Sequence, residues 1–291
     1  MLPEAFLERM KRQLGDEYES YLDSLNRPRA VALRFNPLKG EIPQLPFVGQ
    51  PVPWEPMGYY YDPDARPGLH VFHEAGVYYL QEASAMAPVA LLDPQPGERV
   101  CDLCAAPGGK TTQIAGRMMG RGFLLCNEIN PKRAKILSRN IERMAVSNAL
   151  VTNEHPATLA QRFAGFFDRV LVDAPCSGLG VLRRRADARW RRRPEEIQEI
   201  TKLQRQILSG ALERLAPGGR LIYSTCTVEP EENALLVNSV LAEKEKEEPG
   251  RFAAASLGLE ALGLAAGSQL QCLPFYHQLE GFFLAAIERS L

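Results

Sequence analysis

From about residue 76 the chain alternates short apolar runs with longer segments whose apolar positions recur at helical spacing. Val77–Leu80 reads as a short aromatic strand and Ser84–Leu92 as a helix. Strand then helix follow as Arg99–Leu103 and Lys110–Met119, Gly122–Asn127 and Pro131–Val146, Leu150–Asn153 and Thr158–Phe163. Arg169–Asp173, a long helix Glu195–Leu215, Arg220–Ser224 and a helix from Pro230 to about Glu243 continue the series. This order predicts an α/β protein with a parallel, doubly wound sheet. The last two runs, Gln271–Pro274 and Gly281–Ile287, have no helix between them and predict an antiparallel hairpin at one edge. Residues 243–268 read as the weakest-structured connection.

The first part of the chain follows another regime. Residues 1–26 read as two short helices, with Pro3 suited to a first turn and Gly15-Asp16 interrupting the pattern. A strand is expected at Ala30–Phe35. Eight prolines then fall between Pro37 and Pro67 inclusive, which excludes regular helix there. The expected division is an N-terminal α+β extension at residues 1–75 and a catalytic domain at residues 76–291.

Composition narrows the class. The 291 residues are 45% hydrophobic and 24% charged, which suffices for a sizeable core. A net charge of −1 excludes a globally basic nucleic-acid coat, so any such contact must be local. There is neither a signal-like N-terminus nor an apolar run of eighteen residues. Six cysteines in that setting point to a reducing cytoplasm. Cys101 and Cys104 form a CxxC inside an apparent strand with no second pair at zinc spacing, so they read as packing and no metal is expected.

The run Asp102-Leu103-Cys104-Ala105-Ala106-Pro107-Gly108-Gly109-Lys110-Thr111-Thr112 joins a strand to a helix through small residues, letting backbone approach a ligand closely. Gly109-Lys110-Thr111 matches the end of a phosphate-binding P-loop. The first glycine of that motif is replaced by Cys104, however, and Pro107 lacks an N–H donor. S-adenosylmethionine, which carries no phosphate, fits better. Glu128, ending the next strand, stands where dinucleotide-type folds place the acid for the ribose hydroxyls.

Two further strands end in cysteine motifs: Asp173-Ala174-Pro175-Cys176-Ser177-Gly178 and Tyr223-Ser224-Thr225-Cys226-Thr227. Free cysteine is often simply buried. At the carboxyl ends of parallel strands, though, a pair of thiols with an aspartate suits covalent chemistry. Carbon 5 of a pyrimidine is too weakly nucleophilic to be methylated directly. A thiolate adding to C6 makes it an enamine carbon, an acid at N3 stabilises the developing charge, and a further group helps release the enzyme. Asp173, Cys176 and Cys226 are the residue types this requires. Chemistry alone does not say which cysteine attacks, and analogy with DNA cytosine-C5 methyltransferases, which use a Pro-Cys pair, nominates Cys176.

The residues resemble the Nop/Sun (NSUN) RNA cytosine-C5 methyltransferases. The likeness is carried by Arg34-Phe35-Asn36-Pro37-Leu38-Lys39, Gln81-Glu82-Ala83-Ser84, Cys104 to Lys110, the two cysteine motifs with Glu231-Glu232-Asn233 behind the second, and Leu279 to Ala285. It implies a class I, Rossmann-like fold with a seven-stranded mixed sheet, Cys226 as the attacking thiol and Cys176 as the one assisting release. It further implies a cofactor site lined by Cys104, Ala105, Ala106, Pro107, Gly108, Gly109, Lys110, Glu128 and Asp173, with Arg133 added. The opening Leu2-Pro3-Glu4-Ala5-Phe6-Leu7 resembles bacterial enzymes acting on 16S ribosomal RNA. Two departures stand out. Glu154-His155-Pro156 occupies the place where many members carry an aspartate for the adenine. Ribosomal enzymes of this type also extend into a further RNA-binding domain, whereas this sequence ends at Leu291.

After the Cys176 loop come Arg183, Arg184, Arg185, Arg189, Trp190 and Arg191 to Arg193, a phosphate-binding strip with one stacking platform. Arg27, Arg29 and Arg34 are expected to extend that track, which makes residues 1–75 an RNA-binding extension. A flipped cytosine in single-stranded or loop RNA is the expected substrate, handled by a cytoplasmic monomer. The competing readings are a non-catalytic RNA or ribosome assembly factor on the same fold, a tRNA-modifying enzyme, and an NTPase.

Overall fold

A computed structural model of the chain describes residues 2, 4–155, 158–159, 162–182, 194–258, 267–274 and 280–291. Arg183, Arg184, Arg185, Arg189 and Trp190 lie outside the described residues.

Two helices open the chain, α1 (Glu4–Leu14) and α2 (Tyr18–Ser24), separated by a short turn at Gly15–Glu17. Strands β1 (Ala32–Phe35), β2 (Val48–Val52) and β3 (Glu55–Tyr61), a helical turn α3 (Val71–Glu74) and β4 (Tyr78–Leu80) follow. They form an antiparallel sheet in the order β2-β3-β1-β4. The proline-rich stretch is therefore a hairpin, with β2 at the sheet edge. Pairing slips on either side of Pro51, where a donor is missing.

The remaining elements are α4 (Ala83–Leu92), β5 (Arg99–Asp102), α5 (Gly109–Arg117), β6 (Phe123–Asn127), α6 (Pro131–Arg143), β7 (Ala149–Thr152), β8 (Phe167–Asp173), α7 (Pro194–Arg214), β9 (Leu215–Thr225), α8 (Ala234–Glu247), β10 (Phe252–Ala254), β11 (Gln269–Cys272) and β12 (Phe282–Arg289). Their sheet runs β10-β12-β9-β8-β5-β6-β7, with β11 also paired to β12. Strands β5 to β9 are parallel, and β12 is antiparallel to β9. The expected β11–β12 hairpin is present. Strand β10, which falls in the supposedly weakest connection, brings the sheet to eight strands.

The central strands carry continuous apolar runs, such as Val170-Leu171-Val172 and Leu221-Ile222-Tyr223, because both sheet faces are covered. Val100, Leu124, Leu171, Ile222 and Leu284 face a cluster built with α4, α5 and α6. Their neighbours Cys101, Leu125, Val170, Val172, Leu221, Tyr223 and Phe283 face a second cluster built with α7 and α8. Strand order reverses between β5 and β8. Their carboxyl ends, Asp102 and Asp173, therefore flank the crevice where such sheets bind ligands.

Candidate active site

The turn leaving β5 enters α5 through a cis Ala106–Pro107 peptide and Gly108 at φ 110°. At its positive φ Gly108 would strain any side chain, which would also meet Leu137 Cδ1 at 3.2 Å, and a side chain on Gly109 would press the Tyr79 ring at 3.3 Å. A cavity of about 420 Å³ opens beside this turn. Asp102, Cys104, Ala105, Ala106, Pro107, Gly109, Lys110 and Asp173 line it from the large sheet, and Tyr61, Tyr79 and Gln81 from the small one. Glu128, only 3% exposed, directly follows β6 and accepts from Asn130 N at 2.9 Å. Arg133 bridges Glu128 Oε2 at 3.3 Å and the Ala106 carbonyl at 2.6 Å. Both therefore abut the turn, without lining this cavity.

A second cavity of about 460 Å³ is lined by Ser84, Asp173, Ser224, Thr225, Cys226, Gly281 and Phe282, among others. Glu82, Ala85, Lys110 and Asp173 belong to both cavities. The two spaces thus meet at one ion pair, Lys110 Nζ to Asp173 Oδ2 at 2.8 Å. Ser224 Oγ donates to the other carboxylate oxygen at 2.8 Å. Burial pulls the Lys110 pKa down, but the charge and hydrogen bond of Asp173 outweigh it and leave the ammonium held above its usual value.

Cys176 and Cys226 stand with their sulfurs 3.1 Å apart, and the Cys226 amide points at the Cys176 sulfur at 3.3 Å. The pair is asymmetric. The hydrogen bond from Cys176 lowers the Cys226 pKa against burial and Asp173, and Lys110 assists. That same bond, with burial and Glu232, pushes the Cys176 thiol well up. Of the two, Cys226 is the thiol whose ionisation is eased and Cys176 the one whose ionisation is opposed, and Cys226 is the sulfur that opens into the second cavity.

The loops carrying the two cysteines are bonded to each other. Ser177 Oγ and Thr227 Oγ1 are 2.7 Å apart, and Gly180 N donates to Cys226 O at 3.0 Å. Glu232, fully buried, accepts from Ser177 N and Gln204 Nε2, each at 2.9 Å. Asn233 clamps Thr225 and Thr227.

Arg34 requires a correction. Only 2% exposed, it is no part of a surface RNA track. Its guanidinium donates to Gly109 O at 2.9 Å, Thr112 Oγ1 at 2.8 Å and the Gln81 carboxamide oxygen, which locks β1 onto the start of α5. Burial lowers its pKa to about 10 despite Glu55. Arg29, by contrast, lines the mouth of the first cavity and reaches Glu82 at 3.4 Å.

Sequence reasoning passed over Asp102 as a site residue. It is 1% exposed, accepts from Thr111 Oγ at 2.7 Å, and burial pushes its pKa to about 7. Its signal was available: an acid ending an otherwise apolar central strand. Gln81, Ser224 and Glu232 stood inside stretches that carry the family likeness without being singled out as site residues, and Tyr79 carried no mark.

A doubly wound sheet of this order, with a glycine turn after β5 and acids at the point of reversal, defines a Rossmann-like methyltransferase fold. A methyltransferase homologue from Pyrococcus horikoshii superposes with a TM-score of 0.82 at 28% identity, covering 99% of this chain and 95% of that one. NSun6 from the same organism, solved with SFG, shares the fold at a TM-score of 0.81 and 20% identity, over 99% of this chain and 98% of that one. Residues 89–288 match the family 16S rRNA methyltransferase RsmB/F, and residues 2–83 match the N-terminal domain of 16S rRNA methyltransferase RsmF. The chain belongs to the RsmB/F family. It is 38% identical to ribosomal RNA small subunit methyltransferase F of Cronobacter sakazakii and 36% identical to that of Escherichia coli, over 99% of its own length. It spans 63% of the length of each of these relatives.

Proposed function

We propose that the chain transfers a methyl group from S-adenosylmethionine to C5 of cytosine in RNA, with 16S ribosomal RNA the substrate its relatives' names suggest. The observation that carries this reading is the cysteine pair in contact at 3.1 Å, with Cys226, the more readily ionised of the two, in a cavity that meets the cofactor cavity at Lys110–Asp173. The first cavity suits S-adenosylmethionine. Asp102 and Asp173 line it, matching a cationic sulfonium amino acid, and its one lysine is already engaged by Asp173 rather than free for phosphate. When bound, the cofactor supplies an electrophilic methyl.

Cys226 attacks C6 of the flipped base, and the electron pair moves toward N3 while C5 gains enamine character. The Lys110 ammonium, held by Asp173, stabilises this charge as a hydrogen-bond donor and keeps its own proton. After methylation the C5 proton leaves to solvent, the C5–C6 double bond reforms and Cys226 departs as a thiolate. Cys176, 3.1 Å away, donates its S–H hydrogen bond to the departing sulfur and restores the resting pair. Glu128 and Arg133 brace the cofactor turn, and Arg183, Arg184, Arg185, Arg189 and Trp190 remain the proposed RNA strip beyond the Cys176 loop. The reading includes a cytoplasmic monomer divided at about residue 75. No helix among the described residues is long and apolar enough to cross a membrane.

The test is a pair of substitutions assayed with tritiated-methyl donor and ribosomal RNA. Cys176→Ala should accumulate an RNA adduct stable on a denaturing gel, and Cys226→Ala should form none. Trapping by Cys226→Ala but not by Cys176→Ala would reverse the roles, and the absence of methyl transfer to any RNA would remove the proposal.

A further inference from the structure

The outer face of the catalytic loops is covered by the first two helices. Met10 of α1 and Tyr21 of α2, both fully buried, form one apolar cluster with Leu179 and Leu182 of the Cys176 loop and Val228 of the Cys226 loop. Polar contacts repeat the connection. Gln13 Nε2 donates to the Val228 carbonyl at 2.9 Å. Arg9 reaches Glu229 Oε2 at 2.6 Å and also pairs with Glu231. Val228 and Glu229 lie two and three residues beyond Cys226. Glu229 is only 2% exposed, so Arg9 supplies the cation that a buried carboxylate in this loop needs.

We propose that α1 and α2 are a positioning clasp that fixes the two cysteine loops relative to each other and to the Lys110–Asp173 pair. The inference rests on the reading above, in which Cys226 is the nucleophile. Attack on C6 requires the sulfur within a few tenths of an ångström of its line of approach, and a displacement of about 1 Å costs about a hundredfold in rate. Both cysteines sit on loops past strand ends, where the sheet's hydrogen bonds no longer hold them. The inner side of these loops must stay open to a base, so rigidity has to come from the outer side. That side is where α1 lies. Arg9 and Gln13 touch neither cavity, which makes them positioning residues and not catalytic ones.

The test uses Arg9→Ala and Gln13→Ala, singly and together, in the full chain. The first readout needs no RNA: the rate of Cys226 alkylation by iodoacetamide against pH, resolved by mass spectrometry. Loosening the loops weakens the Cys176 hydrogen bond, so the double variant should shift its alkylation midpoint to higher pH. In methyl transfer its kcat should fall about tenfold or more, with KM for RNA and S-adenosylmethionine affinity unchanged. Arg9→Lys should recover part of the loss. If the double variant melts below the assay temperature, Gln13→Ala alone, which removes a single part-buried hydrogen bond, carries the same readouts. An unchanged alkylation profile with unchanged kcat overturns the clasp. So does a loss confined to KM for RNA, which would make the helices an RNA surface. A wild-type protein that methylates no RNA, yet shows the alkylation shift in the variants, removes the proposed function and leaves the clasp standing.

Discussion

Replacing Arg34 by Met tests whether this arginine is a buried clamp or a phosphate contact. The substitution keeps an unbranched apolar stem and removes three charge-assisted hydrogen bonds, to Gly109 O, Thr112 Oγ1 and the Gln81 carboxamide oxygen. Bonds of this kind are worth about 1.5–3 kcal/mol each, or about 6 kcal/mol together. Against this, the depression of the Arg34 pKa from 12.5 to about 10 corresponds to about 3 kcal/mol of desolvation that the variant no longer bears. Gly109 O and Thr112 Oγ1 can still bond each other at 3.2 Å, which leaves the Gln81 oxygen as the new orphan. The net loss is about 3 kcal/mol, or a fall of about 6–10 °C in Tm for a chain of this size. Since Gly109 begins α5, affinity for S-adenosylmethionine should weaken in calorimetry. RNA KM and its salt dependence should not move. A phosphate contact would behave oppositely, with Tm intact and the slope of log affinity against log salt reduced by about 1. That pattern would refute the burial argument.

Asp102 gives a pH dependence. Its carboxyl ionises near 7 when folded and near 3.8 when unfolded, so between those values the unfolded state holds fewer protons. Stability of the cofactor-free protein should therefore fall as pH rises through this window, and Asp102→Asn should flatten the fall in thermal melts. A cationic cofactor prefers the ionised form, so S-adenosylmethionine should bind more tightly above about pH 7 in calorimetry, and Asp102→Asn should abolish that trend. An unaltered trend in the variant would exclude Asp102 as its source. Gly180→Ala would place a methyl group 2.0 Å from Gly281 O and 2.9 Å from Cys226 O, both backbone atoms. It should cost about 1–3 kcal/mol and most of the activity. Gly49→Ala, whose nearest contact is 3.4 Å, is the control, and wild-type melting and turnover in Gly180→Ala would contradict the packing.

The parallel core was legible because strands covered on both faces leave continuous apolar runs, as in Val170-Leu171-Val172 and Leu221-Ile222-Tyr223. The cysteine motifs were legible as chemistry at strand ends, though not as a pair in contact. The 3.1 Å separation depends on β8 and β9 being neighbours in register, and local pattern does not encode that register. Arg34 was misread for a related reason. An arginine in Ala-Leu-Arg-Phe suggests an outward position by alternation, yet all four residues of β1 are buried because α5 covers the second face. Strand β10 was missed since three residues, Phe252–Ala254, provide too short a run to show a period.

The helical spacing of α1 announces one buried face without saying what covers it, and the answer lies 215 positions away, where Gln13 meets Val228. Three remote segments grip the catalytic loops: α1 from outside, Glu232 and Asn233 ahead of α8, and Gly281, whose amide donates to Gly180 O at 2.8 Å. None of them contributes an atom to the cysteine pair. Their convergence follows from the chemistry required there. A thiol that reacts as a thiolate needs a hydrogen-bond donor at fixed distance, because the attraction that lowers its pKa decays within a few tenths of an ångström of misalignment. Cys176 can supply that donor only if both loops move as one body. Loops anchored solely at strand ends would open independently, and the 3.1 Å contact that eases ionisation of Cys226 would be lost.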